Sequence, residues 1–146
     1  MGIWILVHLA ATWFMAGLIW LVQIVHYPLF SDYDRRLFSG IMHRHQTRIS
    51  LVVGPVMMVE LVSGGWLLWI SHGTAAAVWL QAGFAILIAI WISTAVIQMP
   101  RHRQLLAGPE NRLIHKLVAE NRWRTAGWTM RGILVSLALN TLLPTA

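Results

Sequence analysis

Three histidines, His26, His45 and His102, carry the side chains best suited to chemistry in this sequence, because a neutral imidazole binds zinc, copper, iron or haem iron. Gln23 lies three residues before His26, and Gln98 lies four before His102. At helical spacing each glutamine shares a face with its histidine, about one turn deeper. The pattern predicts a metal or haem site made by His26, His45 and His102, with Gln23 and Gln98 hydrogen-bonding to fix the imidazole orientation. The alternative is a set of surface histidines and glutamines meeting lipid phosphate and water. His43 and His115 read as residues of solvated faces.

Two formal charges fall inside otherwise apolar stretches, Glu60 and Arg131. Glu60 lies 15 residues beyond His45, about 22 Å along a continuous helix, so the two cannot ligate one ion. A charged group at mid-membrane is costly unless paired and reads as functional by default. Glu60 is therefore a carboxylate ligand, a proton acceptor or a ligand anchor, or else half of an internal ion pair with Arg131. Asn121, Arg124, Trp128 and Arg131 are spaced three, four and three and form one helical stripe. Arg124 and Arg131 could hold an anionic group such as a haem propionate or a substrate carboxylate, and Trp128 could pack against an aromatic ring.

These side chains need elements to position them. Of the 146 residues 58% are hydrophobic and only 11% are charged, far below the roughly 25% charged of soluble domains. A membrane-spanning helix takes about 20 apolar residues. Four stretches qualify: 3–24, 49–70, 75–97 and 125–143. The first lacks the basic start and the cleavage site of a signal peptide. The expected fold is all-α, one integral membrane four-helix bundle without a separate soluble domain.

Of the eleven Lys and Arg residues all but Arg131 fall between spans one and two or between spans three and four. The positive-inside rule makes that side cytoplasmic and puts both termini outside, as in a bacterial inner-membrane protein. This topology brings His26, His43, His45, His102 and His115 to one face and leaves His8 and His72 near the other. Basic loops beside anionic lipid account for the net charge of +6 without any nucleic acid. With no cysteine, disulfide, thiolate and iron–sulfur chemistry are excluded. No phosphate-binding glycine motif and no serine elbow is present.

Local signals complete the outline. Residues 71–74 make a tight turn between neighbouring antiparallel helices, Pro28 ends or kinks the first helix, and Gly108-Pro109 breaks the chain before the last. Ser31 or Asp32 is expected to cap the helix leading into span two. Gly64-Gly65 permits close helix packing. Trp4, Trp66, Trp69 and Trp79 fit an outer interfacial belt, whereas Trp13, Trp20 and Trp91 fall within spans and could line a pocket.

Two resemblances meet these residues. Pro100-Arg101-His102-Arg103-Gln104-Leu105 and the Asn121-Arg122-Trp123-Arg124 start of the last span resemble the anthrone-oxygenase-like family of small four-helix membrane proteins, with His102 in place of that family's Asn and Leu117 in place of its Trp. Over the first two thirds, His8, Trp13-Phe14, Gly17-Leu18, His26, Arg48-Ile49, Pro55 with Met57, and Trp79-Leu80 resemble the membrane-bound, haem-binding protoporphyrinogen oxidases, His8 matching the histidine early in that family's first helix and Gly83 standing where the family has a lysine. The first resemblance implies oxygen-dependent oxidation of a hydrophobic substrate, and the second implies haem.

The sequence reading is thus a membrane oxidoreductase acting on a hydrophobic small molecule at a transition-metal (Fe or Cu) or haem site. Its competitors are a non-enzymatic membrane protein that binds lipid or a hydrophobic ligand or serves assembly, and a homo-oligomeric proton or ion conductor with Glu60 on its pore.

Overall fold

The structure, a computed structural model, describes residues 2–142. The C-terminal residue of the fourth expected span, Leu143, and both chain ends lie outside the described residues. Every regular element among them is helical: α1 (Gly2–Leu21), α2 (Phe38–Ile70), α3 (Ala77–Ser93), α4 (Met99–Leu105) and α5 (Asn111–Leu142). A π-helical turn, Val22–His26, and a 3-10 turn, Pro28–Asp32, extend α1, and a second π-helical turn, Thr94–Gln98, joins α3 to α4 without a break. The chain therefore runs as four long helical rods.

Both π turns have the same cause. A proline ring clashes with the carbonyl four residues earlier and has no N–H to offer it. Pro28 displaces the carbonyl of Ile24, and Pro100 that of Val96; each lies inside a π segment. One extra residue per turn relieves the clash. Pro55, by contrast, leaves α2 unbroken.

Three rods, Gly2–Asp32, Phe38–Ile70 and Ala77–Leu105, are long and apolar enough to cross a membrane. The fourth, α5, falls short on composition and carries the polar stripe, which it turns inward: Asn121, Arg124, Thr125, Trp128 and Arg131 are all buried. It packs between α1 and α3. Outward-facing positions are apolar, among them Ile3, Val62, Trp69, Ile92 and Val96, each more than half exposed. The polar stripe of α5 thus faces inward, while apolar side chains of the rods face outward.

Glycines let the rods approach one another closely. A Cβ at Gly132 would come within 2.9 Å of the Trp13 ring, and one at Gly64 would meet Phe84 at 2.9 Å and His8 at 3.0 Å. Gly65 faces open space, so only Gly64 of the pair serves close packing. At one end Gly73, with φ +77°, turns α2 into α3. At the other, Gly108, with φ +142°, precedes α5. That second end carries the basic connections and is closed by buried Phe30, Phe38, Leu105 and Leu117.

Two local expectations change. Ser31 and Asp32 do not cap α2: Ser31 donates to the Pro28 carbonyl, and it is Asp34 that accepts from the Arg36 backbone at the approach to α2. Trp13 and Trp20 do not line a pocket. Both lie on the surface and donate their indole N–H groups to Ser136 (3.2 Å) and Thr129 (3.0 Å), stapling α1 to α5.

Candidate functional site

The end of α1, the first third of α2 and the start of α4 bring three imidazoles into one row. His26 Nε2 and His45 Nδ1 are hydrogen-bonded at 2.8 Å. The His45 and His102 ring centres are 5.7 Å apart. His102 Nε2 is in turn hydrogen-bonded to the Tyr27 hydroxyl at 3.0 Å, and Gln46 donates to the His102 carbonyl at 2.7 Å. Phe30 packs edge-on against both His26 and His45. The three predicted histidines are therefore neighbours, contributed by three different rods.

They do not converge on one point. Among the described residues no three His, Asp or Glu side chains enclose a common metal position. One nitrogen of His26 and one of His45 are used on each other. The nitrogens left without a partner, and buried, are His45 Nε2 and His102 Nδ1. With metal–nitrogen bonds of about 2.0–2.1 Å, two imidazoles on one ion have ring centres up to about 6 Å apart. The His45–His102 pair fits that limit, whereas His26 sits behind His45 as its hydrogen-bond partner.

The glutamines are placed differently from the sequence reading. Gln23 turns to α5, donating to the Val118 carbonyl at 3.2 Å and accepting from Asn121 Nδ2 at 3.0 Å, and orients no imidazole. Gln98 is 2% exposed, and neither of its amide atoms has a partner. The π turns explain both results, since a five-residue turn shifts the faces that three- and four-residue spacings were counted on.

Two spaces adjoin the row. A cleft of about 480 Å³ opens between α1 and α2, with apolar walls that include Leu18, Leu21, Val25 and Val52. His26, His45, Arg44 and Arg48 line it as well. A smaller cavity of about 120 Å³ lies further in and is lined by Tyr27, Gln98, His102 and Arg124 among apolar neighbours. The two share Leu18, Val22 and Ile49.

The inner cavity borders the α5 stripe. Arg124 Nη1 donates to Asn121 Oδ1 at 3.0 Å, its guanidinium lies 5.1 Å over the Trp128 ring, and its Nε has no partner. Asn121 thus holds both Gln23 and Arg124 in place.

Deeper along α5 a second polar cluster is fully engaged. Glu60 and Arg131 form an ion pair with no exposure of either side chain. Trp128 Nε1 donates to Glu60 Oε2 at 3.1 Å, and Arg131 Nε donates to the Gly83 carbonyl at 3.1 Å. Arg131 Nη2 reaches His8 Nε2 at 3.4 Å. A guanidinium only donates, so His8 Nε2 accepts and Nδ1 carries the proton toward Ser63 Oγ at 2.8 Å. Glu60 is enclosed by its own bundle, its side chain without exposure. Arg131 is engaged by Glu60, Gly83 and His8 together.

Sequence reasoning missed Tyr27 and the inward role of His8. Each had a signal: a tyrosine followed by proline at a helix end must find a partner for its hydroxyl if buried, and a lone imidazole in a chargeless span faces the interior. No family model, curated protein or solved structure matches this chain.

Proposed function

We propose that this chain is an integral protein of the bacterial inner membrane that admits a hydrophobic small molecule from the bilayer through the α1–α2 cleft and oxidises it beside the histidine row, with dioxygen as the electron acceptor. The membrane setting is supported by three apolar rods and by the exposed large apolar side chains along them. With the basic connections cytoplasmic, the row lies toward the inner leaflet and both termini face outward.

One observation carries the reading: imidazoles from three rods stand in one row, His26 and His45 on the apolar α1–α2 cleft and His102 on the smaller adjoining cavity, with His45 Nε2 and His102 Nδ1 buried and unpartnered. Those two nitrogens would hold a transition metal, iron or copper, leaving further coordination positions open as catalytic sites do. His26 would orient His45, and Tyr27 would orient His102, through the hydrogen bonds already made. The metal would supply the redox chemistry. The chain's own residues hold the substrate against Phe30 and the apolar wall and keep bulk water from the row. The resemblances to anthrone oxygenases and to haem-binding protoporphyrinogen oxidases point the same way.

Purification in detergent, metal analysis and a visible spectrum test this. Stoichiometric iron or copper that is lost in His45→Ala and His102→Ala is expected. Substoichiometric metal together with no haem absorption would end the redox reading. A second reading, a hydrophobic-ligand carrier without redox chemistry, is favoured by the His26–His45 hydrogen bond, which satisfies both rings in part without any ion. It predicts full ligand binding by His45→Gln.

A further inference from the structure

Among the described residues Arg124 is the one buried charge that the fold leaves without a counter-charge. It is 6% exposed, and neither of the two ion pairs among the described residues, Arg101–Glu120 and Glu60–Arg131, involves it. Its contacts are all neutral: the Asn121 amide oxygen, the Trp128 face and the nearby Tyr27 hydroxyl. A guanidinium cannot shed its proton in a protein. Burying it without a counter-charge is expensive, so a buried cation is normally paired.

The surroundings of Arg124 supply further donors and no carboxylate. Gln98, 2% exposed and with a wholly unpartnered amide, lines the same cavity of about 120 Å³, as do Tyr27 and His102. The rest of that lining is largely apolar, including Met15, Ile19 and Val53. Two free N–H groups, Arg124 Nε and Gln98 Nε2, match an acceptor with two adjacent oxygens.

We propose that the cavity between Arg124 and Gln98 binds the carboxylate head of an amphiphilic monocarboxylic acid, whose apolar body passes Leu18, Val22 and Ile49 into the α1–α2 cleft. Arg124 Nε–H donates to one oxygen and Gln98 Nε2–H to the other, while Asn121 and Trp128 hold the guanidinium in place. The carboxylate completes the charge balance that the fold lacks. This deepens the reading of a hydrophobic ligand by naming its polar group, and it rests on that reading for the membrane entrance but not on any metal.

The test is binding of dodecanoate against dodecan-1-ol, measured calorimetrically on chelator-treated protein in phosphatidylcholine nanodiscs, which offer no competing anionic lipid. Dodecanoate should bind at least tenfold more tightly than the alcohol. Gln98→Glu places a carboxylate beside Arg124 from within the chain and should erase that preference, with the helical fold retained by circular dichroism. Arg124→Gln should erase it in the same way. Equal affinities in the parent protein, no binding of the acid, or a preference that survives Gln98→Glu would overturn the proposal. Failure of the redox reading looks different: no bound metal in the untreated protein, with the acid preference intact.

Discussion

The Arg131 guanidinium of α5 and the Glu60 carboxylate of α2 meet as an ion pair with no solvent exposure on either side. Every remaining contact of the pair is also internal: the Trp128 indole on the carboxylate, and the Gly83 carbonyl and His8 on the guanidinium. Such a pair ties α2, α3, α5 and α1 at one depth. Breaking a buried pair by removing one partner costs about 3–5 kcal/mol, because the other charge stays buried and unmatched. Glu60→Gln and Arg131→Gln should each lower the thermal midpoint in detergent accordingly. The double variant Glu60→Leu/Arg131→Met should recover much of that loss. Single variants as stable as the parent would show that the pair does not hold the bundle together.

Gly132 and Gly65 should respond in opposite directions to the same added methyl group. At Gly132 a Cβ would sit 2.9 Å from the Trp13 ring, and overpacking of that kind costs about 1–3 kcal/mol. At Gly65 nothing lies within 4 Å, and alanine gains up to about 1 kcal/mol of helix propensity. Thermal unfolding of Gly132→Ala and Gly65→Ala should give midpoints on opposite sides of the parent value. Equal shifts would mean that α1 and α5 are further apart than described.

Tyr27→Phe removes the hydroxyl that holds His102 Nε2 and leaves a buried imidazole with both ring nitrogens unpartnered. An unsatisfied buried polar group costs about 1–3 kcal/mol, and loss of an orienting partner typically weakens metal binding 10–100-fold. Metal titration of the variant should show that loss with the fold retained by circular dichroism. Unchanged affinity would remove Tyr27 from the site.

Metal occupancy should depend on pH with a definite sign. Imidazole binds metal only when deprotonated, and burial pushes His45 and His102 down to about 4, so protons compete with the ion only in that range. Bound iron or copper should therefore be retained at pH 6 and released on dialysis below about pH 4, with recovery on return to pH 6. Retention well below about pH 4 would place the ion on ligands other than His45 and His102.

A chain without cysteine gives a clean background for topology mapping. Single cysteines at His72, in the turn between α2 and α3, and at Arg112, at the start of α5, should behave oppositely toward a membrane-impermeant maleimide applied to intact cells. His72→Cys should label from outside, and Arg112→Cys only after the membrane is opened. The reverse pattern would invert the orientation drawn from the basic residues.

The amino-acid sequence by itself determined the helical class, the apolar rods and the grouping of the histidines, because these follow from hydrophobic run length and from which rod ends share a side. It also paired Glu60 with Arg131 as one alternative, since two lone charges in apolar spans have few other partners. It could not decide which nitrogen of each imidazole is free, that Gln23 serves Asn121 rather than His26, or that Arg124 is left without a counter-charge. Those outcomes turn on two proline-driven π turns and on the close approach of α5 at Gly127 and Gly132, where Ile90 and Trp13 stand within 3.1 Å and 2.9 Å of an added Cβ. Helical spacing is a count along one rod, and a single extra residue in a turn redirects every side chain beyond it. Contacts between rods exist only once the four are packed, and it is there that the partners of each polar atom are chosen.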